Sequence, residues 1–229
     1  RYQLSQPTQL LMRHGVLSAE TSFFDYGCGQ GDDIETLLAG GIDATGWDPH
    51  FAPENPKKRA EIVNIGFVLN VIEDLDERKQ ALEGAWKLTK KVLSVAVMAP
   101  SSASIENAKP FKDGFLTLRN TFQKYYTQEQ LRDFIQDVTN TPPVAVAPGI
   151  FFVFADEIAL QEYKINRYER SRQTTVNLAG KRVRTAPTTS IDRLEKALPI
   201  LESFSYEIAE LGRPIHSDEM PPELSRALA

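Results

Sequence analysis

The run Phe23-Phe24-Asp25-Tyr26-Gly27-Cys28-Gly29-Gln30-Gly31-Asp32 joins an apolar strand start, an acid and three alternating glycines. Gly46-Trp47-Asp48-Pro49 then places a second acid at the end of the next apolar stretch. This pattern suits an adenosine-bearing ligand at the carboxyl edge of a parallel sheet. Glycine lets the backbone turn tightly and approach a ligand where a Cβ would collide, and the carboxylates accept hydrogen bonds that Lys or Arg cannot. Spacing then separates the ligand classes. A dinucleotide fold asks for G-x-G-x-x-G, with the pyrophosphate at the helix start. Counted from Gly27 and Gly29, the third glycine position is Asp32, and a carboxylate there repels pyrophosphate. S-adenosylmethionine carries a sulfonium and an ammonium and no phosphate. Asp25 and Asp32 therefore favour this methyl donor, and Asp48 falls where a ribose-binding acid belongs. A nicotinamide-dependent oxidoreductase is the disfavoured reading.

A chain of 229 residues buries one sizeable core with length left for an appendage. No apolar run reaches the roughly twenty residues of a membrane helix, and no signal peptide is legible, so the expected location is cytoplasmic, with no membrane partner. The opening Arg1 in place of Met reads as a trimmed or internal segment. A single cysteine, Cys28, excludes a disulfide framework and any multi-cysteine metal site. His14, His50 and His216 lie in unrelated segments, and no metal site is expected. Charge is uneven. Residues 1–163 hold 15 basic and 22 acidic side chains, whereas 164–193 hold eight basic and two acidic. The basic stretch reads either as a solvated linker or as a contact for DNA.

Alternating strand and helix patterns predict an α/β fold: a doubly wound, Rossmann-like sheet with helices on both faces, followed by a helical C-terminal extension. A short helix over Pro7 to Arg13 precedes a strand at Ser22 to Asp25. Asp32 or Asp33 caps a helix through Leu38, and Ile42 to Trp47 is the second strand. The next buried strand and its exit loop lie in Ala60 to Asn70. A helix from Asp76 to Lys91 leads into the apolar run Val92 to Met98, which suits a sheet covered on both faces. Thr127-Gln128-Glu129-Gln130 forms a capping box opening a helix to about Val138. Val144 to Phe154 forms two strands around a turn at Pro148-Gly149. A helix over Glu157 to Arg170 precedes the polar, basic Ser171 to Ser190, and a last helix runs from Asp192 to Leu211. Three parts follow: a donor-binding domain at 1–163, a basic flexible linker at 164–193, and a helical extension at 194–229.

Beyond the glycine loop, Gly46-Trp47-Asp48-Pro49, Ala60 to Asp74, Thr121 to Thr127 and Ala147 to Phe154 together resemble the DNA phosphorothioation-associated methyltransferase family. Leu211-Gly212-Arg213-Pro214 with Asp218-Glu219 is similar to its downstream part. The resemblance implies a class I S-adenosylmethionine-dependent methyltransferase, in a bacterial system that replaces a non-bridging DNA phosphate oxygen with sulfur, with DNA-modification proteins as partners. It does not supply the methyl acceptor. It implies that Asp25, Tyr26, Gly27, Gly29 and Gly31 hold the methionine end of S-adenosyl-L-methionine, that Asp48 and Pro49 meet the ribose, and that Asn70 and Val71 lie near the methyl group. One departure stands out: only eleven residues, Pro49 to Arg59, separate Asp48 from the next strand, where class I enzymes fit a helix, a strand and an adenine contact. Asn64 is either that contact or a strand-end residue satisfying backbone groups.

Methyl transfer needs alignment first, and a base only where the nucleophile holds its proton at neutral pH. No catalytic residue is assigned. The Pro-Pro-aromatic signature of adenine methylation is absent at Leu69-Asn70-Val71-Ile72, and Cys28 reads as a small apolar side chain rather than a nucleophile. Glu73-Asp74 is either a base or a helix cap. Phe122 to Tyr126 is either an acceptor lid, with Lys124 for a phosphate, or core packing. The alternative to an enzyme is a catalytically inactive donor-binding regulator or scaffold of the same system.

Overall fold

The sheet begins where the apolar code is densest. A computed structural model describes residues 4–99 and 108–167. Four strands, β1 (Phe23–Tyr26), β2 (Ala44–Trp47), β3 (Ala60–Gly66) and β4 (Thr89–Ala96), pair in parallel. A closing hairpin, β8 (Val144–Ala147) and β9 (Ile150–Phe154), adds an antiparallel edge, giving the order β2-β1-β3-β4-β9-β8. Strand side chains alternate between two cores. Phe24, Val63, Leu93 and Val153 face one, with Leu82 and Ala85 of α3 (Leu75–Leu88) and Leu131 and Ile135 of α4 (Gln128–Thr139). Phe23, Ile62, Val92 and Phe152 face the other, with Leu10 and Leu11 of α1 (Gln6–Arg13) and Leu37 of α2 (Asp32–Ala39). Helices therefore cover both faces, and the doubly wound α/β class holds. A helical stretch over 157–167 follows β9.

Several local expectations change. Neither Asp32 nor Asp33 caps α2; its N-cap is Gly31 with φ +88°. Asp33 is instead buried and accepts from Ser5 N (2.8 Å), Ser5 Oγ and Thr8 Oγ1 (2.7 Å), tying the start of α1 to α2. The helix α3 ends at Leu88, three residues earlier than its periodicity suggests. The β-branched Thr89 opens β4, its Oγ1 donating to Ala85 O (3.0 Å), and Lys91 pairs with Glu61 of β3 (2.7 Å). A three-stranded meander, β5 (Lys109–Phe111), β6 (Gly114–Leu116) and β7 (Phe122–Gln123), is new relative to the sequence reading. Its first turn is Lys112-Asp113, and the Asp-Gly pair at 113–114 between Phe111 and Phe115 was the available signal. Residues 49–59 contain neither helix nor strand, only turns and one bridge from Asp48 to Ala52. The basic segment beyond residue 167, the helix expected over Asp192 to Leu211 and the rest of 194–229 lie outside the described residues.

Candidate functional site

The carboxyl ends of β1, β2 and β3 converge on the glycine loop. Gly27, Gly29 and Gly31 have φ of +88°, +56° and +88°. Gly27 N and Cys28 N both donate to Trp47 O (2.7 and 3.1 Å), which fastens the loop to the end of β2. A Cβ on Gly27 would lie 2.3 Å from Val68 Cγ2, so only glycine fits between the loop and the β3 exit. Asp48 completes the loop. Its Oδ2 accepts from Gly29 N (3.0 Å), and its Oδ1 accepts from His50 N (2.8 Å) and Phe51 N (2.9 Å). Partial burial pushes this carboxyl up, but the three backbone donors outweigh it and hold the pKa below its usual value. Oδ2 keeps lone-pair capacity for a ligand hydroxyl.

Two cavities flank the loop. One, of about 280 Å³, is walled by Asp25, Asp32 and Asp33 with Gly29, Asn64 and Ser5, and among the described residues no Lys, Arg or His lines it. Asp25 is 7% exposed and its Oδ1 accepts from Asn64 Nδ2 at 2.9 Å. Burial pushes Asp25 up to about 7; the Asn64 bond opposes this, and Asp33 and Asp48 add to it. A carboxyl held so close to neutrality gains most from a cation placed beside it.

The other cavity, of about 680 Å³, is bounded by Asp48, Pro49, Trp47, Val68 and the α3 stripe Glu77, Gln80, Ala81 and Gly84. That stripe follows the i, i+3, i+4, i+7 rule. The residues of α3 that are buried in the core are Arg78, Leu82 and Ala85. Gly84 admits Tyr26, whose hydroxyl would be 2.9 Å from a Cβ there. Lys57 closes the rim, its Nζ 3.5 Å above the Trp47 ring and 3.2 Å from Tyr26 Oη. The 49–59 segment thus brings a cation against the aromatics that end β1 and β2. Gly27, Gly66 and Phe67 line both cavities. Phe67 has φ +61°, a conformation an aromatic residue adopts only under local constraint.

The expected site residues therefore divide. Asp25, Gly27 and Gly29 wall the acidic cavity, and Tyr26, Gly27, Asp48, Pro49 and Val71 wall the larger one. Gly31 lies on the outer side of the loop, against a cavity of about 450 Å³ with Cys28 and Phe51. Asn70 enters neither of the first two. It is 1% exposed, and its Nδ2 donates to Lys124 O (2.8 Å) while its carbonyl accepts from Lys124 N (2.7 Å). Its amide and backbone carbonyl tie the exit of β3 to the segment after β7. Asn64 stands beside Asp25 in register within β3 and donates to it, rather than satisfying backbone groups at the strand end. Sequence reasoning missed Trp47, Lys57, Phe67, Val68, Glu77 and Gln80. The α3 stripe was legible as a period; Lys57 was not, because nothing in 49–59 is periodic.

The remaining polar candidates resolve as well. Asp74 caps α3, accepting from Asp76 N (2.8 Å) and Glu77 N (3.0 Å). Tyr126 is buried, and Lys124 is committed to Asp113 (3.5 Å to Oδ2). Arg78, 1% exposed, holds the meander through a two-pronged pair with Asp113 (2.7 and 2.8 Å) and donates to Tyr126 Oη (3.1 Å). Burial, with Asp25 and Asp48 nearby, pushes the Cys28 thiol up to about 11, which keeps it protonated and a poor nucleophile. Among the described residues no group of three or more His, Cys, Asp or Glu is placed to hold a metal, and no helix is long and apolar enough to cross a membrane.

No protein-family model and no curated protein matches the sequence. Among solved structures the chain is similar to the Burkholderia thailandensis 1,6-didemethyltoxoflavin-N1-methyltransferase with bound 1,6-didemethyltoxoflavin and S-adenosylhomocysteine (13% identity, 65% of this chain and 79% of that one, TM-score 0.46). It is also similar to a sugar N-methyltransferase from Streptoalloteichus (12%, 66% and 85%, 0.47). A third is an S-adenosylmethionine-bound amino pentose methyltransferase from Micromonospora echinaspora (10%, 66% and 90%, 0.47). At these identities and scores no ligand or acceptor carries over to this chain.

Proposed function

We propose that this chain binds S-adenosyl-L-methionine and is a methyltransferase. The observation that carries this reading is the meeting of two unlike cavities at Gly27, Gly66 and Phe67: one lined by acids and, among the described residues, by no cation, one larger with Asp48 at its edge. An elongated ligand with a cationic amino-acid end and a nucleoside end matches both. Asp25 meets the ammonium, Asp48 the ribose hydroxyls, and Pro49, Phe67, Val68 and Gln80 surround the base. A dinucleotide fits poorly, because its pyrophosphate would face Asp25, Asp32 and Asp33. When bound, the donor supplies a methyl group already activated by the sulfonium. The protein's part is to hold the donor across the Gly27 junction and to exclude water behind Phe67.

The sequence resemblance extends the reading to service in a bacterial DNA phosphorothioation system, with 1–163 as the donor-binding domain, 164–193 as a basic linker touching DNA, and 194–229 as an extension. A second reading, a donor-binding scaffold without turnover, draws support from the abbreviated 49–59 segment. Thermal shift with S-adenosylmethionine, S-adenosylhomocysteine and NAD tests the donor: the first two stabilise the wild type but not Asp48→Ala, and NAD stabilises neither. Stabilisation by NAD alone would overturn the proposal. Release of S-adenosylhomocysteine on incubation with modified DNA or cell extract separates enzyme from scaffold. Duplex affinity that falls steeply with salt, and on neutralising Arg182 and Arg184, tests the DNA contact.

A further inference from the structure

Asp25, Asn64 and Ser94 occupy paired positions on β1, β3 and β4, a polar row crossing three adjacent strands. Their alternation places them on the face of Phe23, Ile62 and Val92, where the surrounding core is apolar. Asn64 is 2% exposed and Ser94 fully buried. Burying two such groups in a sheet centre costs free energy unless they are hydrogen-bonded, so their presence calls for a reason beyond packing.

We infer that Asn64 is a positioning residue for the donor's amino-acid end: its amide holds Asp25 as an ionised acceptor facing the acidic cavity, with Ser94 behind it. The inference rests on the donor reading above. Asn64 Nδ2 donates to Asp25 Oδ1 at 2.9 Å, a bond that is stronger to a carboxylate than to the neutral acid. Asn64 Oδ1 and Ser94 Oγ have no partner among the described residues, so the one side-chain bond this amide makes is to Asp25. The groups acting on Asp25 from the other elements oppose ionisation: Asp33 of α2 and Asp48 after β2, with Asp32 on the same cavity wall. Asn64 is the neighbour that favours the charged form. Without it, a ligand ammonium meets a carboxylic acid that must first lose a proton.

The test compares S-adenosylhomocysteine with 5′-methylthioadenosine, which lacks the amino-acid end, by calorimetry from pH 6 to 9 on the full chain. In the wild type, S-adenosylhomocysteine affinity falls up to about tenfold per pH unit below roughly 7, while the nucleoside is indifferent to pH. In Asn64→Leu the midpoint moves upward by about one pH unit, and affinity at pH 7.5 drops several-fold with the nucleoside unchanged. Asn64→Ala serves if the leucine variant does not fold. An unmoved midpoint in these variants, or equal loss of both ligands, would overturn the positioning role and leave the donor reading standing. A wild type that binds neither ligand would overturn both.

Discussion

Asp25→Asn isolates the cost of keeping an acid in this core. Moving a carboxyl from its ordinary 3.8 to about 7 disfavours its charged form by about 4 kcal/mol, an upper bound once the folded state relaxes. Between these pH values the folded protein holds a proton that the unfolded chain has lost. The group's contribution is therefore full below pH 4 and is lost as pH rises through about 7. Asparagine never ionises, and its carbonyl still accepts from Asn64 Nδ2. The variant should match the wild type near pH 4 and exceed it by up to about 4 kcal/mol at pH 8. Urea unfolding at pH 4.5 and 8 reads this directly through the midpoint at constant m. The same variant should lose affinity for S-adenosylhomocysteine, because a neutral amide replaces the ammonium's partner. A variant no more stable than the wild type at pH 8 would refute the reasoning.

Other perturbations follow from the geometry. Gly27→Ala forces a side chain into the left-handed region and onto Val68, so it should lose about 2 kcal/mol or more in urea unfolding and all donor affinity in calorimetry. Asp48→Asn turns an amide N–H toward backbone N–H donors, and should weaken S-adenosylhomocysteine at least tenfold with a smaller effect on stability. Arg78→Met, which leaves Asp113 with Lys124 alone and the buried Tyr126 hydroxyl without its Arg78 donor, should cost about 2–3 kcal/mol, whereas Asp113→Asn, at a half-exposed position, should cost about 1 kcal/mol; both are read by chemical unfolding.

The fold was legible because its signals were periodic: apolar runs for β1, β3 and β4, and a capping box at Thr127 that forms both of its bonds. Gly27 was legible because its positive φ and close approach to Val68 restrict which residue stands there. Asp33 misled, since its place before an apolar run looks like a cap while its partners sit in α1, 25 and 28 residues upstream. The partner of the Asn70 amide is likewise distant, Lys124 O across 54 residues. Lys57 gave no local signal; it acquires a place only once Trp47 and Tyr26 stand side by side. Partnerships over such distances belong to tertiary structure, and a pattern read within one window does not contain them.

The most direct measurement is the crystal structure of the full chain with S-adenosylhomocysteine. The account predicts continuous density across the Gly27 junction, with the ammonium beside Asp25, the ribose hydroxyls on Asp48 and the base between Pro49, Phe67 and α3. Density confined to the outer cavity at Cys28 and Phe51, or a base lodged among Asp25, Asp32 and Asp33, would contradict it.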